Sequence, residues 1–141
     1  MPTSIWELIS QHYWKGETSM KLTENMLPDL EMFLNLYYLK IIRFNIHTGE
    51  YSIILDNCSF WNGDYYHILE LLRDCPIHPD DVDDYNKNIN LEDIEVDLYR
   101  EFDVRVKVGD RYYLTKMIFA PSLDEEDIFY FFVKEVELIG L

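Results

Sequence analysis

The stretch from Tyr99 to Leu138 constrains the fold of this chain more than any other. Between Tyr99 and Val108, the residues Phe102, Val104, Val106 and Val108 alternate with Glu101, Asp103, Arg105 and Lys107. A period of two puts one set on each side of a strand, so the segment belongs to a sheet with one buried and one wet face. Gly109-Asp110 supplies a two-residue hairpin turn, and Arg111–Phe119 is the returning strand. After a loop through Pro121 and the acidic run Asp124-Glu125-Glu126-Asp127, a third strand covers Ile128–Leu138. It is apolar on both faces from Ile128 to Val133, which marks a strand that is central or covered on both sides.

Two more strands precede these. Ile42, Phe44 and Ile46 alternate with Arg43 and Asn45, giving a strand over Lys40–Ile46, and Glu50–Leu55 is its partner. His47-Thr48-Gly49-Glu50 makes the turn, with Gly49 free to take positive φ. Between the hairpins lie short helical patterns. Asp64–Asp74 carries Tyr65, Ile68, Leu69 and Leu72 on one face. Asp80–Asn88 enters through Pro79, with Asp80, Asp81, Asp83 and Asp84 in its first turn, where carboxylates oppose the positive helix end. Leu91–Asp97 is a short acidic segment leading into the sheet, with helix as one reading. The fold class is therefore α+β: a five-stranded antiparallel sheet with helices on one face, preceded by N-terminal helices.

The N-terminal part, 1–39, reads as a helical extension to a domain over 40–141. Ser4–Trp14 has a capping-box start, with Ser4 followed by Glu7. A second helix runs from about Thr23 to Tyr38, with Pro28 near its start. Leu30, Phe33, Leu34 and Tyr37 form one apolar stripe, widened by Met26, Met32, Leu36 and Leu39. A helix that apolar is covered either by its own domain or by a second chain. On the second reading Leu30, Phe33, Leu34 and Tyr37 form a homodimer interface.

The 141 residues carry 27 acidic against 12 basic side chains, a net charge of −15, which disfavours direct contact with nucleic acid or an anionic membrane. Met1-Pro2-Thr3-Ser4 lacks the basic start and apolar stretch of a secretory signal, and no apolar run approaches a bilayer span, so a cytoplasmic location is expected. Cys58 and Cys75 belong to no Cys-x-x-Cys pair and read as free thiols packed like small apolar groups.

No catalytic constellation is found. There is no Gly-x-Gly-x-x-Gly, no phosphate-binding loop, no Gly-x-Ser-x-Gly and no pair of histidines spaced for zinc. His78 precedes Pro79 at a helix start, where a local hydrogen bond is a simpler role than iron ligation. Of the four histidines His12, His47, His67 and His78, His67 beside Tyr66 is the one weighed as turning into the pocket, and an ordinary packing role is expected for it. Asp80-Asp81 and Asp83-Asp84 lack the glycine and terminal Glu of a calcium loop. The chain is expected not to be an enzyme, no metal site is assigned, and the cofactor is unknown.

The order of two strands, short helices and three long strands, together with particular residues, resembles a PAS domain of the type with a His-Pro-x-Asp helix start. Here that start is His78-Pro79-Asp80-Asp81. The family's Arg-containing strand, Gly-containing hairpin and aromatic partner strand correspond to Phe102-Asp103-Val104-Arg105, Gly109-Asp110 and Arg111-Tyr112-Tyr113-Leu114, and Asn45–Tyr51 resembles its first hairpin turn. The C-terminal run Val133–Leu141 departs from the family's Asp-Ile-Thr-like ending, and Tyr113 or Leu114 stands where the family often has Trp.

The resemblance implies a non-enzymatic sensory module in signal transduction. It would dimerise through its N-terminal helices and outer sheet face and act on a fused or separate effector domain, such as a diguanylate cyclase or histidine kinase. It also implies a small-ligand pocket between sheet and helices, with Phe44, Tyr66, Leu69, Phe102, Val104, Met117 and Phe132 as candidates for its lining; the alternative is a filled core, since aromatic and aliphatic residues at these spacings more often pack than hold a ligand. With Val104 and Val106 inward, Arg105 falls on the wet face, placed for a pair with Asp103 or Glu101. The alternative is a stand-alone acidic module, or a nucleic-acid mimic, that binds a basic partner.

Overall fold

A computed structural model describes residues 27–58, 61 and 63–140. The helix expected at Ser4–Trp14 lies outside the described residues, as do Thr23 and Met26. The chain separates into two units, Met1–Leu36 and Tyr37–Leu141. Of the first, residues 27–36 are described; they belong to helix α1, Leu27–Tyr37.

The second unit is built on a five-stranded antiparallel sheet. Its strands are β1 (Lys40–Asn45), β2 (Tyr51–Asp56), β3 (Arg100–Val108), β4 (Arg111–Pro121) and β5 (Ile128–Gly140), in the spatial order β2-β1-β5-β4-β3. The last strand in sequence is the central one in space, which is why it is apolar on both faces. Its odd positions Phe129, Phe131 and Val133 face one way and pair in register with Phe44, Ile42 and Lys40. On its other side Phe131 and Val133 stand opposite Phe119 and Met117 of β4.

Between the two hairpins run α2 (Ile68–Arg73), a 3-10 turn (Pro79–Asp81), α3 (Val82–Asn88) and α4 (Leu91–Asp97). Ile68, Leu71, Leu72, Tyr85, Ile89 and Ile94 from these helices join Ile42, Phe44, Val104, Val106, Met117, Phe119 and Phe131 in one buried core. Aromatic rings dominate it: Phe119 stacks on Phe131 at 4.6 Å and meets Phe44 edge-on at 6.0 Å. Such pairs add about 0.5–1.5 kcal/mol each beyond simple burial. Lys40 is fully buried on this face, its Nζ 3.4 Å from Asp56 and 5.4 Å from the Trp61 ring.

The helix expected over Asp64–Asp74 is shorter than its apolar spacing suggests. His67 takes an extended backbone (φ −136°, ψ 142°) and its Nδ1 accepts the Leu69 N–H at 3.1 Å, so it caps α2 and leaves Tyr65 and Tyr66 ahead of it. Asp80 and Asp81 likewise form a 3-10 turn that feeds α3. Gly49 has φ +78°, and a Cβ there would stand 2.1 Å from the His67 ring, so the β1–β2 turn closes directly on that imidazole.

His78-Pro79-Asp80-Asp81 seals one edge of the sheet. His78 N–H donates to the Arg105 carbonyl (2.9 Å), Lys107 N–H to the Pro76 carbonyl (2.9 Å), and Ile77 bridges to Val106. The Asp81 carboxylate accepts from Arg105 three times, from its backbone N–H, Nε and Nη2, at 2.9, 2.9 and 2.6 Å. Covering an edge strand in this way removes its unpaired backbone groups from solution. The expected pairing of Arg105 with Asp103 or Glu101 is corrected: those two carboxylates bond Lys116 instead, at 3.5 and 2.8 Å. The cause is the long-range return of residues 76–81 along β3, which strand alternation does not report.

Candidate functional site

The seven residues expected to line a pocket separate into three groups. Phe44, Phe102, Val104 and Met117 belong to the helix-side core; Phe44, Val104 and Met117 are buried, and Phe102 is half-buried with its ring stacked near Phe119 at 6.3 Å. They are packing residues of that core. Tyr66 and Phe132 are corrected. Tyr66 precedes α2 and is 93% exposed, because the helix begins one residue after His67 rather than at Asp64. Phe132 is buried but on the opposite sheet face, opposite Ile41 and Ile118 and packed on Tyr38 (5.4 Å) and Tyr130 (6.2 Å). Both faces of β5 are apolar, so composition gave no parity to choose by. Leu69 borders an open cleft.

That cleft has a volume of about 760 Å3 and lies where α2, the α3–α4 connection and the β1–β2 turn meet. Ile46, Leu69, Ile89 and Leu91 form the apolar part of its lining, and His47, His67, Arg73, Asn86, Asn90 and Glu92 the polar part. The sequence of each element explains its contribution. Arg73 ends α2, where a cation suits the negative helix end. Asn90 caps α4 by accepting the Asp93 N–H at 3.1 Å, which keeps its Oδ1 occupied and its Nδ2 available. His67 commits Nδ1 to its capping bond, so the neutral ring carries its proton on Nε2.

His47 lies at the rim. One ring nitrogen meets Glu95 of α4 and the other stands 3.2 Å from Asp127 of the β4–β5 loop. Three chain-distant segments are thereby tied at one corner of the cleft. Elsewhere Arg43 pairs with Glu125 at 2.7 Å and Arg105 with Asp81. Among the described residues the side chains of Arg73 and Glu92 have no ion-pair or hydrogen-bond partner.

Sequence reasoning singled out Leu69 and His67 but not Arg73, Asn86, Asn90 or Glu92. In the sequence these look like solvated helix ends, and only the fold of residues 46–92 brings them together. A second recess, about 280 Å3, lies near Leu39, Asn57, Cys58, Val106, Val108 and Tyr113.

The apolar stripe of α1 divides: Phe33 and Tyr37 are exposed, as are Met32 and Leu36, while Leu30 and Leu34 are half-buried. Neither Cys58 nor Cys75 forms a disulfide; Cys75 is buried, and burial pushes its thiol pKa well above the ordinary value. Among the described residues no helix is long and apolar enough to cross a membrane, and no cluster of three or more His, Cys, Asp or Glu is arranged to hold a metal. The sequence matches no protein-family model and no curated relative.

Proposed function

We infer that the chain is a regulatory module of PAS-like design, which transmits a signal through self-association and does no chemistry of its own. The observation that carries this reading is the order of elements around one sheet. Two strands, a layer of short helices on one face, and three long strands follow one another as the resemblance implies, and the His-Pro-Asp-Asp segment is joined to the Arg of β3. The signal enters at the open cleft, since Phe44, Val104, Met117 and Phe119 are buried against one another and the helices in the core. The exposed apolar side chains of α1 are the contact surface for a second copy, which would act on a fused or separate effector domain in the cytoplasm.

The test is the oligomeric state of the full chain by light scattering after size exclusion. The wild type should be a dimer, and a Leu30→Asp/Phe33→Asp variant a monomer with an unchanged circular dichroism spectrum. A variant dimer as stable as the wild type would sink the interface.

A second reading rests on a separate observation. Asp83, Asp84, Glu92, Asp93, Glu95 and Asp97 on α3 and α4 are all exposed, forming an acidic surface suited to a basic partner. Binding of that kind weakens steeply with salt. Affinity for a polylysine probe that is the same at low and high ionic strength would remove this reading.

A further inference from the structure

We propose that the cleft beside α2 binds a small zwitterion with an aliphatic body, an α-amino acid or a short peptide of such residues. Two charges of opposite sign face this cleft. Arg73 and Glu92 line the same cleft, yet neither is paired with the other or with any other described side chain. What sets Arg73 apart from other surface cations is its place in a cleft lined also by an unpaired carboxylate, two asparagines and four aliphatic side chains. Two opposite charges that line one cleft without pairing are complementary to a ligand that carries both, separated. The guanidinium offers a planar fork to a carboxylate. Glu92 offers an acceptor to an ammonium group.

The remaining lining fits the same ligand. Asn86 has no partner among the described residues, and the Asn90 amide N–H2 is left over from its cap, so both can donate to a carboxylate oxygen. Ile46, Leu69, Ile89 and Leu91 give an apolar part to the lining that suits an aliphatic body. A zwitterion has no net charge, so the acidic surface does not repel it as it would a simple anion. The site is also held in place. His67 is locked by its capping bond and by the close approach of Gly49, and His47 ties the neighbouring turn to Glu95 and Asp127. The inference depends on the regulatory reading only in taking this cleft as the point of signal entry.

The experiment is titration of the 15N-labelled full chain with L-leucine and the dipeptide Leu-Leu, followed by amide shifts. Isovalerate and isoamylamine, each with one of the two charges, serve as controls. At least one zwitterion should saturate shifts at Leu69, Arg73, Asn86 and Leu91 at or below about 10 mM, and each control should bind about tenfold or more weakly. Arg73→Gln should abolish the advantage of leucine over isoamylamine, and Glu92→Gln its advantage over isovalerate. Both side chains are on the surface, so neither variant should alter the fold. Absence of cleft shifts with both zwitterions would overturn the proposal, as would equal binding of leucine and its one-charge controls. A failed titration alongside an intact dimer would discard the ligand and leave the regulatory reading standing; a monomeric wild type would discard the latter alone.

Discussion

Replacing Tyr85 by Phe tests how the helical layer is fastened to the core. Tyr85 is 3% exposed, and its hydroxyl donates to the Leu72 carbonyl at 2.5 Å, joining α3 to the end of α2. The Phe ring keeps the packing against Phe102, whose centroid is 6.3 Å away, so only the hydroxyl is lost. The Leu72 carbonyl then retains one long contact, the Cys75 N–H at 3.4 Å. Losing a net hydrogen bond costs about 0.5–1.5 kcal/mol and a poorly satisfied buried carbonyl adds to it, so about 1–2 kcal/mol is expected at neutral pH. The same variant has a pH signature. Burial pushes the Tyr85 phenol well above its ordinary value, so the folded state keeps a proton that the unfolded chain releases above about pH 10. The stability this contributes is fully present below that pH and is lost as pH rises towards the folded value, at up to about 1.4 kcal/mol per pH unit. Urea denaturation should therefore show a lower midpoint for Tyr85→Phe at neutral pH and a shallower alkaline decline than wild type. Equal midpoints at neutral pH together with equal alkaline slopes would refute the reasoning.

Other perturbations have equally definite outcomes. Asp81→Asn should flatten the acid limb of stability. The Arg105 hydrogen bonds hold the Asp81 carboxyl below its usual range, so its contribution is present above about pH 4 and lost as pH falls through the lowered value. Urea midpoints of wild type and variant across that window read the effect. Phe119→Ala should cost about 3–5 kcal/mol, because the side chain is fully buried amid Phe44, Phe102 and Phe131. Thermal unfolding by calorimetry measures it. Gly49→Ala must take a positive φ and push aside the His67 ring, at a cost of about 2 kcal/mol or more. Imidazole resonances of His67 should shift in that variant while those of His78 stay in place.

How much was legible in advance follows from the range of each signal. The strands were readable because alternation at Phe102, Val104, Val106 and Val108 is a local property, and the structure puts Val104 and Val106 in the core. The doubly apolar run in β5 was read correctly as central, but it hid which face Phe132 would take. Helix α2 was drawn too long because Tyr65 continues the apolar spacing; the His67 side chain ends the helix earlier by bonding the Leu69 N–H. Arg105 was placed on the wet face correctly and given the wrong partner, since Asp81 arrives from 24 residues away. The cleft was invisible for the same reason: Arg73, Asn86 and Glu92 each look like ordinary helix-end polar residues until the chain folds.

Native mass spectrometry of the full chain over a range of concentrations tests the central claim, a self-associating regulatory module, most directly. The account predicts a species of twice the chain mass that gives way to monomer in the Leu30→Asp/Phe33→Asp variant. A wild-type chain that stays monomeric at every concentration would contradict it.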